Sequence, residues 1–102
     1  MIAIQLIQQE RERQIIKEHY STGHDDRHTR GTIAIAAAKY ALPAGRRDVL
    51  KYPSKWRFKP SPDDRIRELV KAGALIVAEI ERLQRKQQRR SKRAKMGVQH
   101  AG

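Results

Sequence analysis

Between Ile66 and Leu83 apolar side chains return every three or four residues: Ile66, Leu69, Val70, Gly73, Ile76, Val77, Ile80 and Leu83. This is the period of an α-helix with one apolar face, and the run is too long for a strand. Ser61 offers an N-cap, Pro62 suits the first helical position, and Asp63 and Asp64 complement the positive end of the helix dipole. The spacing therefore predicts a helix beginning at Ser61 that buries this face. Gly73 lies on it. A glycine within a helix costs about 1 kcal/mol relative to alanine, so close packing against another helix is the expected compensation.

The partner expected for that face is a second helix, from Thr29 or Thr32 to Ala41, rich in small residues at Ala34, Ala36, Ala37 and Ala38. It ends before Leu42-Pro43, because a residue preceding proline is driven out of the helical region. A first helix is predicted over Ala3 to Tyr20, which contains neither glycine nor proline. Its apolar residues Ile4, Ile7, Ile15 and Ile16 flank the polar run Gln8 to Gln14, so it is expected to dock at both ends and to be solvated midway. Ser21-Thr22-Gly23 reads as a turn. No strand pattern extends beyond a few residues. The expected fold is all-α: a small three-helix domain over residues 1–83, with a proline- and aromatic-rich connecting loop. Residues 84–102 are expected to form a basic C-terminal tail, helical through Lys95 and stopped by Gly97.

A chain of 102 residues fits one domain with a modest core. A charged share of 33% against 38% hydrophobic residues points to a small ordered body with solvated extensions. There is no cysteine, which excludes a disulfide framework and a thiolate metal site, so a reducing cytosol is the simplest compartment. No apolar run approaches the roughly 18 residues of a spanning helix, and the N-terminus lacks a charged leader. The expectation is a soluble, unprocessed protein with no membrane partner.

The formal net charge of +12 is concentrated in two stretches. Arg85, Lys86, Arg89, Arg90, Lys92, Arg93 and Lys95 follow one another with no acid among them. Between Leu42 and Pro60, Arg46, Arg47, Lys51, Lys55, Arg57 and Lys59 stand against Asp48 alone. These two groups account for the whole excess, and the remainder is neutral. Cations gathered this way favour a polyanion, since each one placed near phosphates releases condensed counterions. The expected partner is nucleic acid or a nucleotide. The second stretch also interleaves Tyr52, Trp56 and Phe58 with its cations, an arrangement that stacks bases while holding phosphates. The same rings can instead fill the core of a small helical domain, with Tyr52 left exposed.

His24-Asp25-Asp26-Arg27-His28 is the densest cluster of ligand-type side chains. Three readings stay open for it. The aspartates can cap a helix while the histidines pack locally, the cluster can bind a polar ligand, or His24, Asp25, Asp26 and His28 can form the centre of a metal-dependent hydrolase. Glycine-rich phosphate loops, nucleophile elbows and zinc-protease motifs are absent from the sequence, so a non-enzymatic binding protein without cofactor or resident metal is expected.

Taken in order, these residues resemble a group of small phage and prophage proteins. The likeness is carried by Arg13-Gln14-Ile15, His24-Asp25-Asp26-x-His28, Ala37-x-x-Tyr40-Ala41 and Trp56-x-x-x-Pro60. It continues through Leu69-Val70-Lys71-Ala72-Gly73-Ala74-Leu75-Ile76 into Ala78-Glu79-Ile80-Glu81-Arg82-Leu83. The resemblance covers roughly residues 10–83 and implies a phage accessory protein acting in the host cytoplasm. Members of the group carry Gly-Trp in place of His19-Tyr20 and more tryptophan in the proline-rich segment, which implies a smaller and more basic aromatic pocket here. Two functions follow as expectations. One is action against host defence, by binding a nucleotide signal or occupying the nucleic-acid channel of a defence complex, with His24, Asp26, His28, Tyr40, Trp56 and Arg65 around one site. The alternative is a DNA- or RNA-binding accessory protein that uses both basic stretches. The polar middle of the first helix leaves an oligomer open.

Overall fold

One helix, α4 (Arg65–Ala101), takes 37 residues and extends for about 55 Å at 1.5 Å per residue. In the computed structural model, which describes residues 1–50 and 56–101 and the side chains up to residue 95, the other elements pack against it, mostly along its first half. These elements are α1 (Ala3–Lys17), a short α2 (Thr22–Arg27), α3 (Thr32–Ala41) and a 3-10 helix (Ala44–Val49). The described residues are helical without strands, so the all-α class is as expected. The short α2 and the 3-10 helix add to the three helices expected from the sequence. Helix α4 begins later than predicted. Its cap is Asp64, whose Oδ1 accepts the Arg67 amide at 3.0 Å, whereas the Ser61 amide donates to Glu68 Oε2 at 3.1 Å. Nor does Gly97 end it, since the helix continues to Ala101.

The face of α4 that is buried is only partly the predicted one. Val70 of that face is buried and Val77 half-buried, but the rest of the covered surface is Ala72, Ala74, Leu75 and Ala78 together with Glu68, Lys71 and Arg82, while Ile66, Leu69, Ile76, Ile80 and Leu83 remain exposed. The reason is steric. Ile33, Ala36, Ala37 and Tyr40 of α3 meet Ala72, Leu75 and Ala78 of α4 in the core, and small side chains on both helices allow the close approach that large ones would forbid. Gly73 meets α1 rather than α3: a Cβ placed on it would lie 2.8 Å from Ile7 Cδ1. Trp56 closes this core, with Tyr20 and Phe58 against its edge.

Helix α1 reverses its expected arrangement. Its polar middle is buried at Glu10, Arg11 and Gln14, and Ile4, Ile15 and Ile16 are exposed. Ion pairs account for this. Glu10 accepts a two-pronged bond from Arg13 at 2.8 Å on each oxygen and pairs with Arg67 of α4 at 3.0 Å. Arg11 Nη2 donates to Asp25 of α2 at 2.9 Å, and its Nε faces Glu81 of α4 at 3.4 Å. The chain leaves α1 through His19 at φ 61°, a left-handed conformation that lets the Tyr20 amide turn back to the Gln14 carbonyl at 3.0 Å. Gly31, at φ 73°, provides the second such turn, into α3.

A third knot secures the C-terminus of α3. Arg65 donates to the carbonyls of Tyr40, Ala41 and Leu42, where cations complement the negative end of the dipole. Arg47 donates to the Lys39 and Leu42 carbonyls at 3.0 and 3.2 Å and pairs with buried Glu68 at 2.7 Å.

Two outcomes follow. Leu75 is 2% exposed, and Leu75→Ala should lower the unfolding free energy by about 2–5 kcal/mol in urea titrations followed by circular dichroism. Burial alone would raise the Glu10 and Glu68 carboxyls, but their hydrogen-bonded arginines outweigh it and hold both below the ordinary 4.5. Glu18, bonded to Lys59, and Asp26, bonded to Arg85, are lowered as well. A carboxyl depressed by folding contributes stability above its unfolded pKa and loses it as pH falls through its folded pKa. Melting temperature should therefore hold through mildly acidic pH and drop progressively below about pH 4.5.

Candidate functional site

Helix α2 carries different chemistry on its two sides. Ser21 caps it, its Oγ accepting the His24 amide at 3.2 Å, so the His-Asp-Asp-Arg-His segment is a helical turn rather than a loop. His24 and His28 are four residues apart and point to one side. There His24 stacks on Tyr20, with centroids 4.5 Å apart and planes 7° from parallel, and lies 4.6 Å from the His28 ring. His28 meets Trp56 edge-on at 5.2 Å, and Tyr20 meets it at 5.3 Å. The four rings form one wall of a groove of about 430 Å³, which Lys17, Glu18, His19, Arg57 and Lys59 complete. Burial lowers the His28 pKa below 6.5, and the neighbouring His24 and Arg27 push in the same direction against Asp25.

The other side of α2 faces the second half of α4. Arg85 donates to Asp26 Oδ1 at 2.8 Å, and Arg89 reaches Oδ2 at 3.3 Å. Around them Thr29, Arg82, Lys86, Arg90 and Arg93 line a groove of about 300 Å³. Arg82, Lys86, Arg89 and Arg93 follow at spacings of four, three and four, which places them on one side of the helix. This is the side that, one turn earlier, is buried against α3. Beyond the body it is covered only at Asp26 and Thr29, and cations take the place of alanines.

Of the six residues expected around one site, His24, His28 and Trp56 come together. Asp26 faces the other way, toward Arg85 and Arg89. Tyr40 is in the core, its hydroxyl accepting the Lys59 amide at 2.8 Å, and Arg65 is held at the far end of α3. The six therefore do not converge, because the turn at α2 sends neighbouring side chains to opposite faces.

The expected phosphate contacts divide too. Arg47 is buried against Glu68, so its charge is already taken up, whereas Arg46 is exposed. Arg57 and Lys59 line the ring-walled groove, with Lys59 also bridging Glu18 at 2.9 Å. Lys51, Tyr52 and Lys55 lie outside the described residues. Arg85, Lys86, Arg89, Arg90, Lys92, Arg93 and Lys95 all project from α4. Sequence reasoning did not include Tyr20, Lys17 and His19 in the ring groove or Arg82 in the basic groove. Arg82 was legible as one more step of the spacing that runs through Lys86, Arg89 and Arg93.

Among the described residues no three histidine, aspartate or glutamate side chains are grouped to hold a metal ion. Asp25, the nearest carboxylate to His24 at 2.9 Å, is itself committed to Arg11. No helix of the described residues is long and apolar enough to cross a membrane. No protein-family model matches the chain, nor does any curated protein or solved structure.

Trp56 is the single tryptophan, and its edge contact with His28 makes it a reporter of that imidazole. Acid titration should quench its emission in a step whose midpoint falls below pH 6.5, and His28→Gln should reduce or remove that step.

Proposed function

We propose that this chain is a non-enzymatic phage accessory protein that holds nucleic acid along the second half of α4. The observation that carries the reading is the one-sided row Lys86, Arg89 and Arg93, flanked by Arg85, Arg90, Lys92 and Lys95, with Arg82 at its base buried and paired with Glu79. From Arg85 to Lys95 the row is about 15 Å long at 1.5 Å per residue. Duplex DNA presents one charge per about 1.7 Å of axis, so a row of this length meets several phosphates at once, more than a single nucleotide offers. Asp26 fixes Arg85 and Arg89 in place beforehand, which reduces the side-chain entropy lost on binding. Without base-reading geometry, the contact is to the backbone and tolerant of sequence. The resemblance to phage and prophage proteins supports one biological use: occupying the nucleic-acid channel of a host defence complex.

A second reading, a nucleotide signal bound at Tyr20, His24, His28 and Trp56, draws on the ring-walled groove with Lys17 and Arg57 at its rim. The two are separable by substitution, because the sites lie on opposite sides of α2.

Fluorescence anisotropy with a labelled duplex and a labelled single strand tests the main reading. Affinity should fall with salt at a log–log slope of roughly −0.7 to −0.9 per phosphate contacted. Replacing Lys86, Arg90 and Arg93 with glutamine should flatten that slope by nearly one unit per lost contact. A salt-independent affinity, or binding that survives removal of residues 84–102, would overturn it. A thermal shift with mononucleotides that Trp56→Phe abolishes and the glutamine variants leave intact would favour the second reading.

A further inference from the structure

One buried side chain of α1 is left short of a partner. Gln14 is 3% exposed, and its Nε2 donates to Glu10 Oε2 at 3.2 Å, so the amide turns its nitrogen to the carboxylate. The reverse orientation would set two acceptors against each other. The remaining amide atom, Oε1, is itself buried and meets no hydrogen-bond donor among the described residues. A buried acceptor without a donor loses its hydration uncompensated, so such an atom requires a partner. Gln14 lines a small cavity of about 20 Å³, and two donors with protons to spare line it as well. The Lys71 ammonium directs one N–H to the Lys59 carbonyl at 2.8 Å and one to Ser61 Oγ at 3.3 Å, and its third has no acceptor among the described residues. Lys71 Nζ lies 5.6 Å from the centre of the Tyr40 ring. The Tyr40 hydroxyl accepts the Lys59 amide at 2.8 Å, while its own proton has no acceptor among the described residues.

We infer that this cavity binds one water molecule, which donates to Gln14 Oε1 and accepts from the Lys71 ammonium or the Tyr40 hydroxyl. Size sets the number. About 10–15 Å³ suffices for one water, so a cavity of about 20 Å³ holds one and falls short of two. Charge excludes an ion. A cation would be surrounded by Arg13, Arg57, Lys59 and Lys71, and an anion would face Gln14 Oε1, Glu10 and Glu18. A water serves both sides, with protons for the unpartnered oxygen and lone pairs for the two donors. The bridge joins α1 through Gln14 to α3 through Tyr40 and to α4 through Lys71. Glu18, Tyr20, Arg57 and Lys59 line both this cavity and the ring-walled groove, so the water sits next to that groove. Its binding does not depend on either reading of the protein's function.

Oxygen-17 relaxation dispersion on the full chain tests the inference, because it registers long-lived internal water oxygens and not exchanging hydroxyl or ammonium protons. Gln14→Leu removes the acceptor and fills the space, and it should lose the amplitude of one water with helical circular dichroism retained. Gln14→Met should do the same with an unbranched side chain, and it replaces the leucine variant if that one fails to fold. A crystal structure of the full chain, which needs no variant, should show a water within about 3.2 Å of Gln14 Oε1. Equal amplitudes in the wild type and a folded variant overturn the inference. So does a crystal structure in which a side chain such as Arg57 donates to Gln14 Oε1 in place of a water.

Discussion

Three buried carboxylates hold this molecule together. Glu10, Asp25 and Glu68 are each nearly inaccessible, and each is met by arginine: Glu10 by Arg13 and Arg67, Asp25 by Arg11, Glu68 by Arg47 and Arg65. Through them α1, α2 and the segment after α3 are all tied to α4 or to one another. A chain this small, with alanine at most of its helix contacts, has little apolar surface to bury, and the ion pairs set which faces meet. Breaking such a pair leaves an uncompensated charge inside the protein, which is more costly than the intact pair is favourable. The cores of the pairs are therefore specific: they reject arrangements in which a carboxylate would lie buried without its guanidinium.

This constraint explains where the functional surfaces are. With Asp25 turned inward to Arg11, its neighbour Asp26 on the next helical step must turn outward, and it meets Arg85 and Arg89 on the far half of α4. The same rotation aims His24 and His28 at Tyr20 and Trp56. One short helix thus separates an aromatic, partly neutral groove from a strongly cationic one. Val70, Leu75, alanines and charged residues occupy the inner face of α4, and Ile66, Leu69, Ile76, Ile80 and Leu83 stay exposed.

Much of the local structure was legible in the sequence. Helix content, the end of α3 before Pro43 and the helical continuation of the basic stretch follow from residue propensities and from proline's effect on its neighbour. The burial of Trp56 was one of two readings, and the core closes around it. The pattern misled where hydrophobicity was taken as burial. The face Ile66, Leu69, Ile76, Ile80 and Leu83 is the stronger amphipathic signal in α4, yet Val70, Leu75 and alanines with Glu68, Lys71 and Arg82 are what the body covers. The polar run in α1 misled in the same way, since Glu10, Arg11 and Gln14 are internal only because their partners on α2 and α4 are present. Such partners are separated by up to 70 residues, as Arg11 and Glu81 are, and no local pattern encodes them.

What the sequence determined by itself is the chemistry of the chain: helices, no thiols, and a cationic excess placed in two stretches, because these depend on residue type and near neighbours. Only the tertiary structure decided which cations remain available. It buries Arg47 against Glu68, commits Arg65 to the end of α3, pairs Arg82 with Glu79 and Arg85 and Arg89 with Asp26, and leaves Lys86, Arg90 and Arg93 exposed, because a charge folded against a carboxylate of the same chain is less available to a ligand.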